Sequence, residues 1–161
     1  LFKIQEHMWN SFHQKGSYVF HENEVIGMDS MPFTIECTKS ALGTKLFWSF
    51  ALEGLDSIVE FIENSFKQAK DLYNYLNSQE DFYCPYEPES NILCFQYKPD
   101  IINDQKQLEL RYELINSGSF YITSCIINQK RYLRVVMMNP LSKKADYRAL
   151  ADSIKKIAAK I

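Results

Sequence analysis

The chain has 161 residues, of which 46% are hydrophobic, 14% aromatic and 24% charged, a composition typical of one globular domain or a domain with an appended segment. Its net charge is −2 with acidic and basic residues interspersed, so no basic surface indicates a nucleic acid or an anionic membrane as partner. The sequence contains neither a run of about 18 apolar residues nor an N-terminal basic-then-apolar segment, so we expect neither a membrane span nor export.

The cysteine and histidine residues do not form a metal-binding pattern. No C-x-x-C pair occurs among the four cysteines, and the three histidines stand too far apart for one helical face. We therefore predict no metal site, and free thiols in a reducing cytoplasm. The cysteines are Cys37, Cys84, Cys94 and Cys125.

The first forty residues are largely irregular. Residues 1–4 form a short apolar segment, and residues 5–13 are expected to form a brief helix closed by Gly16. Residues 17–31 are polar apart from the aromatic and apolar side chains at 18–20. A segment of this length without periodicity is typical of a functional or mobile loop.

Two helices are predicted next, separated at Gly54. Apolar residues recur at three- and four-residue steps from Leu42 to Phe50, and Gly54 is placed to close this helix in a left-handed conformation. Ser57 and Glu60 fit a capping box that begins the second helix. We expect its apolar stripe to be core along its whole length; the stripe consists of Ile58, Phe61, Ile62, Ser65, Ala69, Tyr73 and Leu76.

The remainder of the chain predicts an α+β fold. After Pro85 and Pro88, the expected order is strand 92–97, helix 104–115, strands 120–127 and 131–138 joined as a hairpin through 128–130, and a last helix capped by Ser142. Such an order is typical of a small antiparallel sheet with helices on one face. The two long helices before it would serve as a connecting layer.

Two residues suggest chemistry, although each has a structural alternative. Arg134 shares a strand face with Tyr132, Val136 and Met138, where an unpaired guanidinium is costly to bury. It could form a structural ion pair, lie in water at an edge strand, or clamp a ligand carboxylate. Tyr18 could be a hydrophobic anchor of its loop or a functional residue.

Several short segments resemble one family in order along the chain, although no single match is specific. These segments are GSYVF at 16–20, IECTK at 35–39, KLFW at 45–48, EPES and ILCF at 87–95, NSG at 116–118, and YLRVV with NP at 132–140. In the same order, they resemble the motifs A-S-Y-L-F, I-Q-C-G-R, K-L-W, E-P-E, V-C-F, E-S-G, F-F-R-M-V and N-P of the group II pyridoxal-phosphate decarboxylases. This family contains glutamate and aromatic amino acid decarboxylases. Lys39, Leu42 and Phe47 depart from the family pattern, so no particular substrate is indicated.

The resemblance implies a homodimeric fold-type-I enzyme with sites at the subunit interface. Its cofactor would be pyridoxal 5′-phosphate, an electron sink for loss of carbon dioxide from an amino acid substrate. Tyr18 matches the loop tyrosine that donates a proton, and Arg134 matches an arginine that contacts a substrate carboxylate. Cys37 and Thr38 match residues that line the pocket from the partner subunit. The lysine that binds the cofactor would lie before Leu1, so no residue of this chain is assigned to the cofactor.

The resemblance also implies a domain organisation. Residues 1–36 would be the end of a large-domain strand and a mobile catalytic loop, residues 37–79 the connecting helices, and residues 80–161 the C-terminal small domain. The chain, which begins without methionine, is then expected to be a piece of an amino acid decarboxylase that is inactive alone. The alternatives are an aminotransferase small domain, or a stand-alone α+β binding or oligomerisation module.

Overall fold

A computed structural model of the chain describes residues 3–12 and 41–161. The helices and strands, in chain order, are α1 (Gln5–Phe12), α2 (Leu42–Asn77), β1 (Phe82–Tyr83), β2 (Ile92–Tyr97), α3 (Asp104–Asn116), β3 (Thr123–Ile127), β4 (Lys130–Val136) and α4 (Lys144–Ala158). The chain divides into two compact units, Leu1–Leu55 and Asp56–Ile161. No described helix has the length and apolar character needed to cross a membrane.

The first unit contains α1 and the beginning of α2. Helix α1 confirms the brief helix predicted near the N-terminus. Gly54 interrupts α2 with a φ of 75°, a conformation that glycine adopts without the steric penalty of a side chain. The predicted break at Gly54 is therefore confirmed.

The second unit is built around a four-stranded antiparallel sheet in the order β1-β2-β4-β3. Strand β2 pairs with β4 so that Leu93 lies opposite Val135 and Phe95 opposite Leu133. The predicted α+β fold is confirmed, and three of its four strands were expected. Strand β1 was missed because two residues are too few to show a period-two pattern.

A tight turn joins β3 to β4, as predicted. Asn128 and Gln129 have φ values of 50° and 63°, and Ile127 pairs with Lys130 across the turn. Positive φ at both central residues is the geometry of the type I′ turn, whose twist matches that of the flanking strands. This turn determines the register of the hairpin.

One face of the sheet forms the core with the helices. Leu93, Phe95 and Leu133 are fully buried there. They belong to one cluster with helical residues, which include Ala69, Leu72, Leu76, Leu110, Leu114, Tyr147, Leu150 and Ile154. Helices α3 and α4 and the C-terminal part of α2 therefore cover a single face of the sheet.

Gln107 ties helix α3 to strand β2 inside this core. Its side chain is fully buried, and its Nε2 donates a hydrogen bond to the carbonyl of Tyr97 at 2.7 Å. The same amide accepts from the backbone N–H of Tyr97 at 3.4 Å. The amide thus satisfies backbone groups at the end of β2, where the pairing with β4 has stopped at Phe95.

The second unit corrects two details of the sequence analysis. The C-terminal part of the α2 stripe is buried, but Phe61 and Ile62 are 45% and 46% exposed, so the core does not extend along the whole stripe. The N-cap of α4 is Lys143, whose backbone N–H donates to the Asp146 carboxylate at 2.7 Å. Ser142 was therefore the wrong cap, since the helix begins one residue later than expected.

Leu133→Ala should lower the free energy of unfolding by about 2–5 kcal/mol, because it leaves a cavity in the centre of the core. Leu141→Ala is the matched control, since that leucine is 76% exposed and should change stability by less than about 0.5 kcal/mol. Urea unfolding of both variants measures the difference. Equal destabilisation by the two substitutions would contradict the assigned core.

Candidate functional site

The sheet face that points away from the helices carries the candidate site. Strand β4 alternates, so Leu133 enters the core while Tyr132 and Arg134 point to the opposite side. Cys94 lies directly across from Arg134 on β2, and Thr123 lies across from it on β3. We call this surface the Arg134 face; it comprises Cys94, Thr123, Cys125, Tyr132 and Arg134.

Arg134 is half-buried near the middle of this face. Its Nη1 donates to the Oγ1 of Thr123 at 3.5 Å, and the Thr123 hydroxyl donates to the carbonyl of Arg134 at 3.3 Å. Because β4 is a central strand with neighbours on both sides, Arg134 is not an edge residue standing in water. A guanidinium held in this way offers a planar set of donors that suits a carboxylate.

An aromatic pair borders the face on one side. Tyr132 is buried, and its ring lies 6.0 Å from that of Tyr86, measured between centroids. Burial, with smaller contributions from neighbouring tyrosines, raises the pKa of Tyr132. Gln96 is buried beside them and donates to the carbonyl of Arg131 at 2.8 Å. This side of the face is therefore ordered by packing and hydrogen bonding, and Tyr132 remains a neutral phenol at pH 7.

Two thiols lie close together on the same face. The Sγ atoms of Cys94 and Cys125 are 3.6 Å apart, and both residues are half-buried. Their mutual hydrogen bond is the largest influence on both groups: it raises the pKa of Cys94 and lowers that of Cys125. Arg134 and Arg131 act in the same direction on Cys125, since a positive charge favours the thiolate.

Of the four site residues expected from the sequence, the structure places one. Arg134 lies on the face just described. Tyr18, Cys37 and Thr38 lie outside the described residues, so their roles stay predictions. The sequence analysis did not foresee that Cys94 and Cys125 would meet. Each cysteine alternates out of the core on its own strand, but the pairing order β2-β4-β3 that unites them is not visible in the sequence.

The described residues do not fit a covalent attachment point for a carbonyl cofactor. Such a lysine is normally desolvated so that its amine can act as a nucleophile. Every described lysine is at least partly exposed, and the half-exposed Lys98 and Lys155 both pair with Asp81. Within the same residues, no group of three or more His, Cys, Asp or Glu side chains could hold a metal ion.

The fold and the face together define a small α+β domain that presents a cationic donor on the side of its sheet away from the helices. A family model described as the pyridoxal-dependent decarboxylase conserved domain matches residues 1–98. The match covers more than half of the chain, and the chain belongs to this family. The resemblance inferred from the sequence motifs is thereby confirmed.

Solved structures share the fold at low sequence identity. The chain is similar to the glutamate decarboxylase domain of a diaminobutyrate-pyruvate transaminase and L-2,4-diaminobutyrate decarboxylase from Vibrio parahaemolyticus, with a TM-score of 0.67, 19% identity, and coverage of 73% of this chain and 26% of that one. Catharanthus roseus tryptophan decarboxylase in complex with L-tryptophan is similar with a TM-score of 0.65 and 20% identity, and the match covers 83% of this chain and 29% of that one. Mouse CSAD is similar with a TM-score of 0.65 and 19% identity, and the match covers 91% of this chain and 33% of that one. This chain thus spans about a quarter to a third of their length.

Proposed function

We propose that this chain is the C-terminal region of a pyridoxal-phosphate-dependent amino acid decarboxylase, which releases carbon dioxide from an L-amino acid and leaves an amine. The observation that carries the proposal is the family match over residues 1–98. The likeness of the fold to decarboxylase structures, over 73% and 83% of this chain, supports it. In this enzyme, residues 37–79 connect a large domain to the small domain of residues 80–161, and the chain alone is inactive.

The cofactor lysine is proposed to lie in a part of the enzyme that precedes Leu1. The exposure of the described lysines supports this, because none is placed as a desolvated nucleophile. Pyridoxal phosphate, when bound, supplies the electron sink for loss of the carboxylate. The residues of this chain act on the substrate, by holding its carboxylate and by delivering a proton.

Arg134 is proposed to hold a substrate carboxylate. Its position on a central strand, with Thr123 contacting both its side chain and its carbonyl, supports a fixed orientation. A pre-oriented guanidinium loses little freedom on binding, and its parallel N–H groups match the two carboxylate oxygens. Every amino acid has an α-carboxylate, so this contact does not select among acidic, aromatic and diamino acid substrates.

Tyr18 is proposed to protonate the substrate α-carbon after carbon dioxide leaves. A phenol brought over that carbon determines that the product is an amine, because protonation elsewhere would end in a carbonyl compound. Closure of the surrounding loop would also exclude water from the reacting carbon. Cys37 and Thr38 are proposed to line the same pocket from the partner subunit.

The proposal includes a homodimer in the cytoplasm. Helix α2 exposes large apolar side chains; Phe47 is 63% exposed, Leu52 74% and Leu55 61%. Apolar surface of this kind is typical of a binding surface, so a large domain and a second subunit would cover it. Cys84, Cys94 and Cys125 are free thiols, which supports a reducing compartment.

An aminotransferase small domain is the second candidate. The Vibrio parahaemolyticus protein carries both a transaminase and a decarboxylase name, but the matched part of it is the decarboxylase domain. A transaminase delivers the proton to the cofactor and not to the substrate α-carbon, so it does not need a tyrosine placed over that carbon. The products of the reaction therefore separate the two candidates.

Arg134→Ala in the complete enzyme should reduce kcat/KM by the equivalent of about 2–4 kcal/mol, because a charge-assisted contact to the substrate is lost. Arg148→Ala is the control, since Arg148 is exposed on α4 and outside the site. Steady-state kinetics and the melting temperature are measured on the same preparations. A lower melting temperature with normal kinetics for Arg134→Ala would make the residue structural.

Tyr18→Phe in the complete enzyme should retain substrate binding and some release of carbon dioxide while losing amine. The phenyl ring keeps the shape of tyrosine but has no proton to deliver, so the flux is diverted to a carbonyl product. Carbon dioxide, amine and carbonyl product are quantified in parallel. If the variant forms carbon dioxide and amine in equal amounts at the wild-type rate, Tyr18 is only an anchor of its loop.

A further inference from the structure

Cys94 and Cys125 come from strands that are not neighbours, yet their side chains meet. Strand β4 lies between β2 and β3, and the two Sγ atoms approach to 3.6 Å across it. Both cysteines are free and half-buried, so solvent reaches the pair. Nothing in the proposed decarboxylase function uses these thiols.

The surroundings favour a thiolate on Cys125. Arg134 lies directly opposite Cys94 and two residues along β4 from the partner of Cys125. Together with the hydrogen bond from Cys94, Arg134 and Arg131 outweigh burial and lower the pKa of Cys125 to about 7. The same hydrogen bond and burial raise the pKa of Cys94, so the surroundings favour the thiolate on Cys125 and not on Cys94.

Among the described residues, the titratable group directly opposite Cys125 on β4 does not oppose this charge. Tyr132 lies opposite Cys125 in the register, and its pKa is raised by burial, so it brings no negative charge at pH 7. Cys84 provides a contrast within the same unit: burial raises its pKa to about 12. Cys84 should therefore be inert where Cys125 is reactive.

Sheet geometry disfavours a disulfide between Cys94 and Cys125. Neighbouring antiparallel strands place opposed Cα atoms at least about 4.5 Å apart, so Cα atoms on strands separated by a third strand are about 9 Å apart. A disulfide requires Cα atoms within about 7 Å. Closing the bond would draw β2 and β3 together over β4, which favours a reaction partner of Cys125 from outside the chain.

We propose that Cys125 is a nucleophilic thiol that forms a mixed disulfide with a small anionic disulfide, for which oxidised glutathione is the probe. The Cys125 thiolate attacks one sulfur of the probe, the probe's S–S bond breaks, and a glutathione thiolate departs and takes a proton from water. Cys125 is oxidised and one glutathione is reduced, so no other reagent is needed. The guanidinium group of Arg134, which lies on the same face as Cys125, complements the probe's carboxylates.

The adduct would lie beside Arg134. If Arg134 holds the substrate carboxylate, a glutathione on Cys125 would obstruct that site and couple activity to the thiol state of the cell. This consequence rests on the proposed function, whereas the modification itself does not. Peptide mapping of the adduct tests the modification, and the kinetics of Arg134 variants test the proposed function. Either proposal can therefore be contradicted without the other.

The first test maps the adduct on the 161-residue chain. After incubation with oxidised glutathione at pH 7, digestion with trypsin and a glutamate-specific protease separates Cys84, Cys94 and Cys125 into different peptides. The expected result is one glutathione on the Cys125 peptide, with Cys84 and Cys94 unmodified. Equal modification of Cys84 and Cys125, or a Cys94–Cys125 cross-linked peptide, would overturn the proposal.

The second test asks whether Cys94 activates Cys125. Alkylation of Cys125 by neutral iodoacetamide is followed against pH in the wild type, Cys94→Ala and Cys94→Ser, after circular dichroism and thermal melting have confirmed folding. Cys94→Ala should move the midpoint of the rate–pH curve, which reports the pKa of Cys125, towards about 8.5. The thiolate fraction at pH 7 then falls about fifteenfold, but a more basic thiolate is a better nucleophile, so the alkylation rate at pH 7 should fall only about threefold. Cys94→Ser keeps a hydroxyl donor and should stay closer to the wild type. The same midpoint in all three proteins would show that the thiol pair has no such role.

Discussion

The two-residue alternation of the central strand β4 is the constraint on which both the core and the candidate site depend. Leu133 points into the helices and is fully buried, and the next residue, Arg134, must then point to the opposite face. A shift of one residue in register would exchange them and bury a guanidinium in an apolar core. The energetic requirement of packing Leu133 thus keeps Arg134 on the opposite face, where Thr123 contacts its guanidinium and its carbonyl.

Much of this arrangement follows from local sequence patterns. Strand β2 coincides with the expected strand 92–97, and the turn at Asn128 and Gln129 determines the pairing of β3 with β4. Gly54 ended a helical segment where a left-handed residue was expected. Turn residues and periodicity act over a few positions, so they can be recognised without knowing what packs against them.

Features that depend on distant partners were not predictable in this way. Strand β1 exists because Phe82 and Tyr83 pair with the end of β2, and the meeting of Cys94 with Cys125 depends on the order of three strands. Phe61 was predicted to lie in the core but is exposed. The apolar stripe of a helix indicates that another element should pack against it, but it does not identify that element. For Tyr18, only the family resemblance suggested a role, because an aromatic residue in a polar loop has no distinctive pattern of its own.

The central claim is that the complete enzyme removes the α-carboxylate of an amino acid instead of transferring its amino group. The most direct measurement incubates that enzyme with pyridoxal phosphate and a panel of acidic, aromatic and diamino acids, and analyses every product. The account predicts carbon dioxide and the corresponding amine in equal amounts from at least one member of the panel, only when the cofactor is present. Formation of an α-keto acid without carbon dioxide, or no cofactor-dependent conversion of any member, would contradict it.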